Sequence, residues 1–95
     1  MRAMMDVTIY TRMMCSYCAA AKRLLERKGV DYVEHDASFS QELRQEMMTR
    51  SGRTTFPQIF IGDTHVGGSD ELHALDREGR LDAMLGADGN ARKPA

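Results

Sequence analysis

The stretch that decides the reading is MMCSYCAAAKRLL, residues 13–25, where two cysteines stand one helical turn apart as an apolar-periodic segment begins. Behind Cys15 and Cys18, the residues Tyr17, Ala20, Ala21, Leu24 and Leu25 recur at the 3.6-residue spacing of a helix, and Lys22, Arg23, Glu26 and Arg27 hold its other side. Gly29 supplies the stop. Just upstream, VTIYT (7–11) is β-branched and aromatic, which reads as a short central strand. The cysteines therefore sit at a strand-to-helix junction, with Cys15 at or just before the helix start. There the unpaired backbone N–H groups and the positive end of the helix dipole favour thiolate over thiol. Arg12, Lys22 and Arg23 add positive potential. Cys18, at i+3, lies on the same side of the helix but one turn further in, so the two thiols should differ. Cys15 attacks; Cys18 resolves.

Composition narrows what such a pair does. The 95 residues are 42% apolar and 28% charged, enough for one domain with a modest core and no staple. A bridge between Cys15 and Cys18 closes a tiny loop and removes little unfolded-state entropy. Two cysteines also fall short of the framework of small secreted domains. A closed zinc site takes four ligands, and only His35, His65 and His73 stand available to complete one, none at ligand-like spacing. The structural, zinc and redox readings all remain chemically possible here. A net charge of −1 gives no electrostatic case for nucleic acid or an anionic membrane. No apolar run is long enough to span a bilayer, and the opening MRAMMD lacks the apolar core of a signal peptide. The expected location is cytoplasmic, where thiols are kept reduced and such a pair is more often catalytic or metal-binding than structural.

Further along, VDYVEH (30–35) reads as a second strand, and Ser38 with Gln41 resembles a capping box for a helix striped by Phe39, Leu43 and Met47 and ended by Gly52. QIFI (58–61) reads as a buried strand, and Gly62-Asp63 as a two-residue hairpin turn into THV. Gly67-Gly68 break that pattern before a helix over 69–79, and Leu81, Met84 and Leu85 suggest one more short helical stretch. The order is β-α-β-α-β-β-α. Strands joined through a helix run parallel with a right-handed crossover, and the final two form an antiparallel hairpin. An α/β domain follows, a four-stranded mixed sheet flanked by helices over residues 1–85, with 86–95 a polar tail expected to be disordered. Met4, Met5, Met13, Met14, Met47, Met48 and Met84 read as core and edge filler, and the histidines as surface or loop residues.

A C-x-x-C beside a β-α-β pattern is a thioredoxin-like redox signature. Three segments sharpen it: YTRMMCSYC (10–18), RTTFPQIFIG (53–62) and VGGSDEL (66–72), in this order and spacing, closely resemble the glutaredoxins, nearest to the bacterial dithiol type. The resemblance covers about residues 6–85 and implies a thioredoxin-like fold. It also implies a glutathione-dependent thiol–disulfide oxidoreductase that reduces protein–glutathione mixed disulfides and protein disulfides. In the family, Thr55-Phe56-Pro57 corresponds to a Thr-Val-Pro whose proline is cis and faces the cysteines, and the backbone at Phe56 pairs with glutathione. Arg12 and Arg44 are expected on the glycine carboxylate, to which a guanidinium fork is suited. Gly67, Gly68, Ser69 and Asp70 are expected on the γ-glutamyl end, its carboxylate on the helix N–H groups and its amine on Asp70. Tyr17 either flanks this groove or packs on the core. Glutathione is the implied co-substrate, glutathionylated or disulfide-bonded proteins the partners, and a monomer the expected state. Where the family usually has Cys-Pro-Tyr-Cys, Ser16 replaces proline, restoring an N–H and adding a hydroxyl. Some members with serine there bind a [2Fe-2S] cluster across a dimer through the first cysteine and glutathione. Cys15 as a cluster ligand is thus the alternative, and soft thiolate donors make it chemically reasonable.

Overall fold

The computed structural model describes residues 5–86. Four strands, β1 (Val7–Thr11), β2 (Val33–Asp36), β3 (Gln58–Ile61) and β4 (Thr64–Gly67), form one sheet in the order β2-β1-β3-β4. β1 runs parallel to β2 and antiparallel to β3, and β3 pairs antiparallel with β4. The helices are α1 (Ser16–Arg27), α2 (Gln41–Ser51), α3 (Ser69–Arg77) and the short α4 (Leu81–Leu85). This is the mixed, thioredoxin-like α/β sheet expected from the sequence.

Alternation along the central strands builds two unequal faces. Val7 and Ile9 of β1 with Ile59 and Ile61 of β3 meet Ala21, Leu24 and Leu25 of α1, Leu72 of α3 and Leu81 and Leu85 of α4 in the main core. Each fully buried leucine there contributes roughly 1.5–3 kcal/mol. Tyr10 and Phe60 point the other way and meet Met47 of α2 in a smaller cluster. Its polar margin is tied by Tyr10, whose hydroxyl donates to Glu46 and accepts from Arg50 Nη1 at 2.9 Å, while the Arg50 guanidinium lies 4.1 Å over the Phe60 ring. Gly62, at φ +60°, opens the two-residue β3–β4 turn, which pairs Ile61 with Thr64.

Several local expectations are corrected. The cap of α2 is Ser40, whose hydroxyl accepts the Leu43 N–H at 3.1 Å. Ser38 accepts the Met13 N–H at 2.7 Å and donates to Asp36. Phe39 therefore precedes the cap, falls outside the helical stripe and is 90% exposed. β2 begins at Val33, because pairing with β1 starts at Thr8↔Val33; Val30 is buried in the core without joining the ladder. α3 stops at Arg77, with Glu78 as its C-cap. His35 and His65 are half-buried strand residues, not loop residues, stacked at 5.1 Å on Tyr10 and 4.9 Å on Phe60, and His73 is half-buried on α3. Met13 and Met14 are exposed beside the cysteines instead of filling core or edge, whereas Met47 is buried. Residues 87–95, nearly all of the expected tail, lie outside the described residues; Gly86 is the C-cap of α4.

Candidate active site

β1 ends at Thr11, and the loop Arg12–Met14 turns the chain into α1, with Met14 in the left-handed region at φ +57°. Cys15 is the N-cap of α1: its backbone is extended, and its sulfur accepts the Cys18 N–H at 3.1 Å, the place a serine or aspartate oxygen usually takes. Its Sγ is partly exposed and lies 3.9 Å from the Phe56 carbonyl oxygen. Cys18, one turn in, is only 3% exposed. Burial pushes its thiol up to about 12, the neighbouring Cys15 sulfur adds to this, and the Arg12 backbone and charge oppose it. The two sulfurs are distinguished by environment.

Across from Cys15, the Phe56–Pro57 bond is cis and Pro57 is buried at the entry to β3. The start of α3 closes the other side. Gly68 approaches so near that a Cβ there would stand 3.3 Å from the Pro57 carbonyl oxygen. The first intrahelical bond of α3 runs from Leu72 N–H to Gly68 O, so the N–H groups of Ser69 and Asp70 have no backbone acceptor within the helix. Between these walls lies a groove of about 220 Å³. Tyr17, Thr55, Phe56, Pro57, Gly68, Ser69 and Asp70 all line it. Tyr17, 63% exposed, flanks the groove and does not pack on the core.

The two expected arginines stand outside that lining. Arg12 is exposed, with Nη1 donating to the Met13 carbonyl at 3.1 Å. Arg44 braces the β2–α2 loop, Nε on the Ala37 carbonyl at 3.1 Å and Nη2 on that of Ser38 at 3.4 Å, while its guanidinium lies 5.7 Å over the Phe56 ring. Lys22 is paired with Glu34 at 3.1 Å.

Arg53 and Glu71 also line the groove, and neither was picked out from the sequence. Glu71 Oε1 accepts the Gly68 N–H at 2.6 Å and pairs with Arg53 at 3.4 Å. The Gly68 N–H, more than any other influence, holds the Glu71 carboxyl below its ordinary value. The spacing Gly68-x-x-Glu71 was the available signal, since an acid three residues after an N-cap reaches back to it. Gln58 carried no such signal. It is wholly buried, its Nε2 donating to the Thr55 carbonyl at 3.0 Å and the Thr55 hydroxyl at 3.2 Å, its Oε1 2.7 Å from His65 Nε2.

Neither thiol is in the groove's lining, nor in that of a larger depression of about 560 Å³ at the other end of the sheet, between 5–8 and 29–33; Cys15 reaches the groove wall through its contact with the Phe56 carbonyl. Among the described residues no three His, Cys, Asp or Glu side chains gather as a metal site. Among them, too, no helix is long and apolar enough to cross a membrane.

A thiol at a helix cap, a buried second thiol at i+3 and a cis-proline wall make thiol–disulfide exchange the chemistry this arrangement can perform. Known proteins agree. The glutaredoxin family model matches residues 7–66. A glutaredoxin of Pseudomonas aeruginosa is 56% identical over 84 residues, spanning 88% of this chain and all of the relative. The solution structure of a Brucella melitensis glutaredoxin superposes with a TM-score of 0.78 at 62% identity, covering 88% of this chain and 91% of that one. A buckwheat glutaredoxin–glutathione complex superposes at 0.76 with 27% identity, over 83% and 74% of the two chains. With fold, thiol pair and kinship in accord, the chain belongs to the glutaredoxin family of thiol–disulfide oxidoreductases.

Proposed function

We propose that this protein is a glutathione-dependent oxidoreductase that reduces protein–glutathione mixed disulfides, with Cys15 as nucleophile and Cys18 as resolving thiol. The observation that carries the reading is the Cys15 sulfur, on a half-exposed residue, 3.9 Å from the carbonyl oxygen of Phe56, which itself lines the groove between Thr55-Phe56-Pro57 and α3. The glutathione bound by the buckwheat relative adds support.

The Cys15 thiolate attacks the glutathione sulfur of the mixed disulfide. The S–S bond breaks, the protein thiolate departs and takes a proton, and Cys15–glutathione remains. A second glutathione thiolate attacks that same glutathione sulfur, forming glutathione disulfide and returning the electron pair to Cys15. The Cys18 N–H aimed at the Cys15 sulfur supports the negative charge as it departs. For protein disulfides, Cys18 instead displaces the substrate from Cys15 and closes an internal bridge, which two glutathiones later reduce.

In this reading the Phe56 backbone pairs with the cysteine of glutathione, flanked by Thr55, Pro57 and Tyr17. The γ-glutamyl carboxylate takes the N–H groups of Ser69 and Asp70 beside Gly68, and its amine takes the Asp70 carboxylate. Arg12 holds the glycine carboxylate. Arg44 assists through Nη1, the nitrogen not engaged by the Ala37 and Ser38 carbonyls. The working unit is a monomeric domain through residue 85, acting in the cytoplasm.

The test is glutathione-coupled reduction of a small glutathionylated disulfide by wild type, Cys15→Ser and Cys18→Ser. The reading requires turnover that is lost with Cys15 and survives without Cys18. Absence of turnover by folded, reduced wild type would reject it and bring forward the [2Fe-2S] alternative at Cys15.

A further inference from the structure

One run of partly buried polar contacts leads from β4, at the edge of the sheet, to the wall of the groove. Gln58 is 0% exposed, and a buried amide left without partners costs several kcal/mol, so its orientation is strongly determined. The Thr55 carbonyl oxygen, 3.0 Å from the amide, is an acceptor only and therefore faces the amide NH₂. Oε1 must then face His65, 2.7 Å away, and being an acceptor it requires a hydrogen on His65 Nε2. The opposite amide orientation would set oxygen against oxygen at Thr55. The His65 ring is itself held, lying 4.9 Å from the Phe60 ring at 32°. Past His65 the β3–β4 register shifts, from Phe60↔His65 to Ile59↔Gly67, and this irregularity leads β4 into the start of α3 on the opposite wall.

We infer that Gln58 and His65 are positioning residues for the disulfide exchange: they keep the Thr55 carbonyl turned inward and so hold Phe56-Pro57 in place on the groove wall. Neither residue lines the groove or touches either thiol; both act through Thr55. The inference rests on glutathione occupying this groove. It locates part of the groove's affinity in a contact remote from the ligand, on the strand β4 that also leads into α3.

The test combines kinetics with a spectroscopic readout that does not depend on activity. His65→Phe keeps a ring against Phe60 and removes the donor; His65→Gln retains a donor; Gln58→Leu removes both ends of the link. With a glutathionylated peptide as varied substrate, His65→Phe and Gln58→Leu should raise KM about fivefold to tenfold, the value of one hydrogen bond, with kcat within about twofold of wild type. His65→Gln should recover most of the loss. Nitrogen-15 NMR of the wild type should show the neutral His65 ring protonated at Nε2, with that signal displaced in Gln58→Leu. The inference is overturned by an Nδ1-protonated neutral ring, by an unchanged KM in variants whose melting temperature alone has fallen, or by His65→Gln behaving no better than His65→Phe. A wild type that turns over no glutathionylated substrate would instead remove the glutathione reading, and the NMR result would still decide the His65–Gln58 link.

Discussion

The rim and the floor of the active site lie one helical turn apart and differ in almost every physical respect. At the rim, Arg12, Met14 and Tyr17 are exposed and Cys15 is half-exposed, its sulfur 3.9 Å from the Phe56 carbonyl oxygen. At the floor, Cys18, Pro57 and Ser69 are buried. Helical geometry alone puts positions 15 and 18 on a common side, yet the fold buries the residue at position 18 and leaves the cap residue at position 15 half-exposed. One turn thus presents one half-exposed and one buried thiol, the difference on which the proposed roles of nucleophile and resolving thiol rest. Reactivity follows access and hydration here, not the identity of the side chain.

The sharpest attempt to break this contrast is to exchange the two thiols' roles. Cys15→Ser should lower turnover of a glutathionylated substrate by a factor on the order of 10³, whereas Cys18→Ser should retain it within about tenfold, measured by glutathione-coupled steady-state assay. Equal losses would erase the distinction between rim and floor.

Next in size is a pH dependence. Cys18 is held high principally by burial, with a smaller contribution from the Cys15 sulfur. Below the thiol's pKa each pH unit multiplies its thiolate fraction about tenfold. Release of glutathione from the Cys15 mixed disulfide by Cys18 should therefore accelerate about tenfold per unit between about pH 7 and 9, followed by rapid acid quench. A profile that levels off near pH 9 would show a thiol at its ordinary value of 9.0, and a flat one a thiol already ionised at pH 7; either would contradict the rise that burial causes.

Gly68→Ala probes the floor where it meets α3. A Cβ 3.3 Å from the Pro57 carbonyl forces the two walls apart by a few tenths of an ångström, which should cost about 1–2 kcal/mol in urea denaturation. Unchanged stability would show that the wall yields freely.

Acid should separate His65, behind the groove wall, from Glu71, on its lining. Burial, assisted by the Arg53 charge, holds the folded His65 below its ordinary 6.5. Its contribution to stability is complete above pH 6.5 and is lost as pH falls through the lower folded value. Glu71, held below its ordinary 4.5, contributes above that pH and loses its contribution only as pH falls through its own lower folded value. Melting curves across this range should show the His65 loss first, and His65→Phe should abolish that first step alone. At the small end, Tyr17→Ala should change stability by no more than about 0.5 kcal/mol, because its ring is mostly in water, while weakening substrate binding at the rim.

Sequence by itself determined much of this protein. Alternation and helical spacing sufficed for the element order and for Cys15 at a helix start, because these are local consequences of where apolar side chains recur. The Gly62-Asp63 turn was legible for the same reason: its geometry is set by the two residues within it. The groove segments Thr55–Pro57 and Gly68–Asp70 were legible as family motifs. Tertiary structure decided the rest. Ser38 and Ser40 are chemically equal as caps, and Ser40 takes the role because Ser38 is engaged by Asp36 and the Met13 N–H. Arg44 is on its expected helix, but the Ala37 and Ser38 carbonyls direct two of its nitrogens. The pairing of Arg53 with Glu71 joins residues 18 apart in the chain, and no local pattern marked His65 as the partner of Gln58. Local geometry is written in nearest neighbours, whereas the partner of a buried or charged group is chosen by whichever segment the folded sheet brings within a hydrogen bond's length.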